Sequence, residues 1–343
     1  MGWQLYQGDC LEVMQSMPDN SVNLIATDPP YFKVKNEAWD RQWDKPEAFL
    51  EWIGKLCEQW HRILKPNGSL YVFASPRMAA RVECKVGEWF KVMNRIRWVK
   101  GAGWHNRASK EQLRSYLSPW EEIIFSEHYG ADNIAKGEAG YGAKCDELKG
   151  FVFEPLREYL AREWERAGLR PKDVNKATYS QMAGHYLTRV QWALPTKEKY
   201  EQLRAYANRD GGDYLQREHE DLRREYDCLR RPFNVTADVP YTDVWDFPTV
   251  KHYPGKHPCE KPLEMMEHIV KASSRERDVV LDCFAGSGVT GEAALKHGRD
   301  FIGIEVDKGY CARIRERLEA VEPKKVYRLP THTELTLFDE MTG

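Results

Sequence analysis

The chain has 343 residues, an ordinary globular composition and a formal net charge of -2, which suits about two domains and gives no nucleic-acid signal by itself. Eight cysteines lie scattered, with no C-x-x-C pair and no His at zinc-ligand spacing, and no apolar run nears membrane-spanning length. A disulfide scaffold, a structural metal and a membrane protein are therefore excluded, and a soluble cytoplasmic protein is expected.

A short strand is expected near 3–6, then a helix in "GDCLEVMQSMPDNSV" closed by a Pro-Asp-Asn turn. Residues 22–26 open a continuous apolar run of the parallel-sheet kind. It stops at "DPPYF", where prolines donate nothing to a ladder and stiffen the backbone. After a polar, Trp-containing loop, 46–64 reads as an amphipathic helix with Phe49, Ile53, Leu56, Trp60 and Leu64 on one stripe. "KPNG" reads as a turn, and 69–74, 96–99 and 122–126 read as strands. Between 76 and 114, ten Lys or Arg stand against three acids, and between 155 and 204 ten stand against six. Such local excess suggests a polyanion partner, with solvated helix faces as the bland alternative. From 154 to about 231 only helix-like patterns appear, the last with Leu215, Leu222 and Leu229 seven apart. The alternation of strand and helix returns after Lys251: helix 263–272, strand 279–283, helix from Val289, strand 301–305 and helix 309–320. One α/β domain is thus split by an all-helical insertion.

In "VVLDCFAGSGVTGEAAL", residues 279–295, an apolar strand runs through small residues straight into a helix. Gly286 and Gly288 permit close backbone approach and unusual dihedrals, and the helix start offers amides to an anion. About twenty residues on, "FIGIEVD" ends a strand in Glu305, an acid placed to take both hydroxyls of a ribose. Either motif alone has a plain reading, as a strand-to-helix turn or a strand stopped by prolines.

Together they carry a resemblance. "DPPY" at 28–31 resembles the catalytic signature of the S-adenosylmethionine-dependent DNA amino-methyltransferases, and "FAGSG" at 284–288 resembles their cofactor loop. The catalytic motif precedes the cofactor loop and "HPCEKP" sits just before that loop, an order similar to the β group of the family. The likeness covers roughly 1–130 and 250–320, and departs at Cys283, where many relatives carry proline. It implies a Rossmann-like methyltransferase domain built from 1–130 and 246–330, an all-helical target-recognition domain at 131–245, and a tail at 331–343. It implies S-adenosyl-L-methionine as cofactor, double-stranded DNA as partner, a homodimer, no metal and a nucleoid-associated place in the cell. Asp28, Pro29, Pro30 and Tyr31 would be catalytic. Asp9 and Cys10 match the motif that meets the cofactor's adenine, and Lys261 lies in the match upstream of the loop. Asp282, Phe284, Ser287 and Thr290 would surround the methionine portion, Gly286 and Gly288 would shape the loop, and Glu305 would hold the ribose. For Asp9 and Lys261 a helix cap or a salt bridge is the alternative.

The chemistry gives the opening acid and prolines a purpose. An exocyclic amine is a poor nucleophile because its lone pair is delocalised into the ring. If Asp28 and the Pro29 carbonyl accept its two hydrogens, the nitrogen moves toward tetrahedral geometry, and the prolines preorganise that carbonyl. Tyr31 offers a ring for a flipped base. Both amines need the same chemistry, but family relatives acting on cytosine more often show serine before the two prolines, so the resemblance implies adenine here, with N4-cytosine methylation the nearest rival. A helix-turn-helix regulator with a degenerate sensor is a rival from another class, and a NADP-type oxidoreductase on the glycine turn, disfavoured on the expectation that the turn is not G-x-G-x-x-G, is a third.

Within the insert, 163–203 has the cadence of a helix-turn-helix, with 179–192 as a recognition helix. Ser180, Gln181, His185, Thr188, Arg189 and Gln191 suit major-groove edges, with simple helical packing as the alternative. Phe32 and Lys33 open a loop, 33–45, expected to reach the duplex. In the tail, "ELTLF" resembles the peptide that replication and repair proteins insert into the sliding clamp, although Glu334 stands where glutamine is usual. Docking on its own domain is the plainer expectation there.

Overall fold

An eight-stranded mixed sheet organises the computed structural model, which describes residues 2–34, 36–101, 114, 116–128, 153–188, 192–235 and 241–322. The first strand, β1 (Trp3–Gln7), leads to α1 (Cys10–Gln15), which starts where the Asp9 carboxylate accepts the amides of Leu11 and Glu12. Such a cap satisfies donors that the first turn leaves orphaned. Next come β2 (Val22–Thr27), α2 (Pro46–Ile63) and β3 (Leu64–Ala74). Proline opens α2 at a position that needs no amide, and Phe49, Ile53, Leu56, Trp60 and Ile63 form its buried stripe. Then follow α3 (Ala79–Gly87), β4 (Lys91–Val99) and β5 (Trp120–Glu127).

The helical section comprises α4 (Glu154–Arg166), α5 (Pro171–Thr178), α6 (Ala183–Leu187), α7 (Lys197–Ala207) and α8 (His219–Leu229). The chain re-enters the sheet at β6 (Val244–Trp245) and continues through α9 (Leu263–Ser273), β7 (Val279–Asp282), α10 (Val289–Lys296), β8 (Asp300–Glu305) and α11 (Lys308–Glu319).

The strand order is β1-β8-β7-β2-β3-β5-β4-β6. The five strands from β1 to β3 run parallel, while β5 is antiparallel to both β3 and β4. From β2 the chain winds outward to β3, and from β7 it winds the other way to β8. The switch point therefore lies between β7 and β2, where a crevice opens at the strand ends. One face packs on α1, α2 and α3 through Met14, Ile53, Trp60 and Val82, and the other on α9, α10 and α11 through Met265, Ile269, Ala294 and Ile314. The helical section closes on its own core of Leu156, Leu160, Trp164, Tyr200, Leu203 and Leu222. This is the α/β architecture with an inserted helical unit.

Several local expectations are corrected. "KPNG" is not a separate turn but a bulge inside β3: Leu64 pairs with Val22 and Ser69 with Leu24, so residues 65–68 oppose Asn23 alone. A Cβ at Gly68 would lie 2.6 Å from the Leu64 side chain and 2.9 Å from the Asn23 carbonyl, which is why glycine stands there. The helix α3, hidden within a basic stretch, buries Ala79, Val82 and Val86. Val244 and Trp245, inside the expected 131–245 insert, pair with Arg97 and Trp98 in the sheet.

The recognition helix expected over 179–192 does not form. Tyr179 ends α5 in the left-handed region at φ 51, and among the described residues of 179–192 only the five of α6 are helical. The polar tips are used locally: Ser180 bonds Thr178, Gln181 accepts from Asn175, and Thr188 donates to the Gly184 carbonyl. The His185 carbonyl accepts from Ala193. Arg189, Gln191 and the tail from 323 onward, with its clamp-like peptide, lie outside the described residues. The leucine stripe is internal, since Leu215 precedes α8 and is buried with Leu222 in the insert's own core. Among the described residues no helix is long and apolar enough to cross a membrane.

Gly291 tests the packing of α10 on β8. A Cβ there would lie 2.6 Å from the buried Phe301 ring and 2.8 Å from Leu318. Alanine gains about 0.8–1 kcal/mol in helix propensity, against about 1–3 kcal/mol for overpacking. Gly291→Ala should therefore lower stability in urea unfolding by about 1 kcal/mol, the packing term winning.

Candidate active site

The C-terminal ends of β2 and β7 open on one cavity of about 410 Å³. From the β2 side Asp28, Pro29, Pro30 and Tyr31 line it; from the β7 side come Asp282, Phe284, Gly286, Ser287 and Thr290, with Glu305 from β8 and Lys261 ahead of α9. Two motifs some 250 residues apart in sequence thus share one space.

The glycine turn is pinned from three directions. Asp282 is buried and accepts from Thr27 Oγ1 at 2.9 Å, Thr290 Oγ1 at 2.6 Å and the Phe284 amide at 3.1 Å. Burial pushes its carboxyl up to about 6 despite those bonds. Glu305 accepts the Gly286 amide on Oε2 and the Asp307 amide on Oε1, both at 2.9 Å, and burial raises it. Gly286 has φ +49, and a Cβ there would lie 3.1 Å from the His257 ring. Gly288 opens α10 at φ +76. Gly291 completes a G-x-G-x-x-G spacing with these two, so glycine spacing alone does not separate this turn from that of a dinucleotide-binding fold.

The acid is the distinguishing feature. Asp28 Oδ2 lies 2.6 Å from Lys261 Nζ, while Oδ1 is buried without a partner among the described residues. Lys261 also donates to the Tyr31 hydroxyl at 3.1 Å, and Tyr31 donates to Glu121 Oε2 at 3.0 Å. Burial pushes Asp28 above the usual carboxylate range, Lys261 pulls it back and Glu121 adds to the rise. Burial likewise raises Tyr31, with Asp28 and Glu121 adding to it. Burial alone would lower Lys261, but Asp28 and Glu121 outweigh it and keep the ammonium charged. Lys261, expected at the cofactor, is thus bonded to the Asp28 carboxylate.

Other expected residues fall outside the cavity lining. Asp9 is the α1 cap and Cys10 is buried beside it. Phe32 packs on Phe49 at 5.6 Å, and Lys33 reaches the Asp44 carbonyl at 2.8 Å. Sequence reasoning missed Glu121 and Asp40. Asp40 is fully buried, accepting the Tyr31 amide on Oδ1 and the Val34 amide on Oδ2, both at 2.6 Å. It holds a loop in which Phe32 and Lys33 both adopt positive φ, and the same short turn brings Glu37 and Trp39 to the cavity wall. No local pattern signals either role, since both arise only from folding. Among the described residues no group of three His, Cys, Asp or Glu could hold a metal.

A family model described as DNA methylase matches residues 22–316. DNA adenine methyltransferase YhdJ of Escherichia coli (strain K12) is 27% identical over 323 residues, covering 92% of this chain and 82% of its own length. A Thermus thermophilus protein solved with S-adenosyl-L-methionine aligns with a TM-score of 0.50 at 20% identity, over 96% of this chain and 99% of its own. The PvuII DNA methyltransferase, cytosine-N4-specific, aligns at 0.53 and 14% identity, over 99% of this chain and 93% of its own. At these identities the structural likenesses show the fold.

Asp40→Ala leaves the buried Tyr31 amide and the part-buried Val34 amide without their charged acceptor and should cost about 2–4 kcal/mol in urea unfolding. Asp40→Asn, with one acceptor oxygen left, should lose about half of that.

Proposed function

The chain belongs to the DNA methylase family, and on that premise we propose that it transfers a methyl group from S-adenosyl-L-methionine to the N6 amine of an adenine flipped out of double-stranded DNA. The observation that carries this reading is the buried, unpartnered Asp28 Oδ1 beside the rigid Pro29–Pro30 elbow. A buried acceptor without a donor costs about 1–3 kcal/mol, and an amine hydrogen removes that cost.

The residues present fit the cofactor. Glu305 retains lone pairs for a diol, α10 presents its first amides to a carboxylate, and Gly286 leaves room that a side chain would fill against His257. The cofactor supplies an electrophilic methyl on a positively charged sulfur, whose C–S electrons return to sulfur on transfer. Asp28 Oδ1 and the Pro29 carbonyl each accept one hydrogen of the amine, which localises the lone pair on nitrogen as the new N–C bond forms. The methylated nitrogen then carries a positive charge and sheds one proton, for which ionised Asp28 is the adjacent base. Tyr31, its hydroxyl tied by Glu121 and Lys261, holds its ring steady for a stacked base. Orientation supplies much of the acceleration, so a water-excluding pocket and a fixed acceptor suffice without a covalent intermediate.

Adenine is supported by aspartate before the prolines and by the name of the Escherichia coli relative. The helical section is the part proposed to choose the DNA sequence. It has its own core, and Lys172, Lys176 and the 89% exposed Tyr179 stand on its surface.

Asp28→Ala should reduce methyl transfer by about 10²–10⁴-fold while S-adenosyl-L-methionine binding, read by calorimetry, persists. Mass spectrometry of the wild-type product should show N6-methyladenine; N4-methylcytosine would overturn the choice of base. Lys172→Ala with Lys176→Ala should lower the slope of log DNA affinity against log salt by about 2, with cofactor affinity unchanged.

A further inference from the structure

The Lys261 ammonium is shared between two carboxylates, Asp28 Oδ2 at 2.6 Å and Glu121 Oε2 at 3.2 Å. Glu121 comes from β5, and its other oxygen, Oε1, is bound by Lys100 just beyond β4. The side chains of Lys261, Glu121 and Asp28 are 6%, 15% and 19% exposed, so water screens them little. Charge therefore alternates along Lys100, Glu121, Lys261 and Asp28, across four separate segments of the chain.

We propose that Glu121 is a positioning residue for methyl transfer, whose carboxylate prevents Lys261 from neutralising Asp28 and so keeps Asp28 a strong acceptor. The proposal rests on the reading of Asp28 as the amine's partner. A buried one-to-one ion pair would hold Asp28 far down, and a weakly basic carboxylate accepts a hydrogen or a proton poorly. With two carboxylates on one ammonium, the field of Glu121 opposes that of Lys261 at Asp28. Lys100 and Lys261 in turn overcome the effect of burial on Glu121 and hold it down at about 2, so Glu121 stays charged while Asp28 titrates. The other groups facing this cluster are the Tyr31 hydroxyl, the Cys259 thiol and the Asp282 carboxyl. Lys261 is the cation in direct contact with Asp28. The bland alternative is a purely structural bridge between β5 and Lys100, which would leave the titration of Asp28 unmoved.

The test is a ¹³C-carboxyl NMR titration of the full-length protein without DNA or cofactor, with the Asp28 signal assigned through Asp28→Asn. Glu121→Gln should lower the Asp28 midpoint, and Lys261→Met should raise it, each by about one pH unit, the scale of a full charge at this range in a partly screened site. The acid limb of kcat/KM for DNA should follow the same opposite shifts. An unmoved midpoint in Glu121→Gln, or shifts of the same sign in both variants, would overturn the proposal. If near-ultraviolet circular dichroism shows Glu121→Gln unfolded, Lys100→Met replaces it. That variant leaves Glu121 leaning on Lys261 alone and must raise the Asp28 midpoint; no change would again overturn the proposal. The titration needs no turnover, so the two failures are distinguishable: a wild type that methylates no base sinks the functional reading and the positioning role with it, whereas an unmoved midpoint in a wild type that methylates DNA sinks this proposal alone.

Discussion

The pairing of β2 with β7 through Leu24 with Val280 and Ile25 with Leu281 is short, yet the whole site hangs on it. It sets two strand ends side by side at the point where the chain winds outward in opposite directions. Asp28 leaves one strand and Asp282 ends the other, and Thr27 Oγ1 crosses the gap to Asp282 at 2.9 Å. A parallel pair separated by so much sequence is held mainly by what covers it. Trp60, Ile25 and Leu281 lie in the core on one face and Ala26, Val280 and Met266 in that on the other, all almost wholly buried. Apolar burial thus places the polar atoms, and hydrogen bonds then set their orientation.

A buried set of charges is usually a poor source of stability, because desolvation offsets most of the attraction. The cluster of Lys100, Glu121, Lys261 and Asp28 is better understood as a fixed electrostatic environment. Its members sit on β4's end, β5, the segment before α9 and the end of β2, so no local rearrangement can relax it. That rigidity suits a site whose work is to present an acceptor already in place.

What was legible in the sequence follows from locality. The strand before Asp28, the glycine turn and Glu305 each declare themselves within a few residues, as an apolar run followed by chemistry that ends a strand. Glu121 and Asp40 declare nothing, because one acts across the sheet and the other across the loop that follows Tyr31. The recognition-helix expectation failed on backbone conformations, the left-handed Tyr179 and the extended Thr188, which apolar periodicity does not reveal. Leu215 misled in the opposite way: its spacing matched a stripe, but the residue precedes its helix and serves the insert's core. The G-x-G-x-x-G spacing at 286–291 shows that even a legible motif can fail to discriminate, since its third glycine is spent against Phe301 and Leu318.

The helical section meets the sheet domain in an asymmetric way. Asn67 donates to the Leu229 carbonyl at 2.9 Å, and Arg275 donates to the carbonyls of Asp227 and Arg230. The donors are side chains of the sheet domain, whereas the acceptors are the last backbone carbonyls of α8, which any residue provides. At the exit side chains of the section join as well, in the buried pair of Arg231 with Glu127 and the stacking of Phe233 on Phe125. The carbonyl bonds read the end of a helix and not its sequence, whereas Glu127 and Phe125 read Arg231 and Phe233. A unit exchanged by recombination would therefore need a helix ending at the same place and an arginine and an aromatic just beyond it.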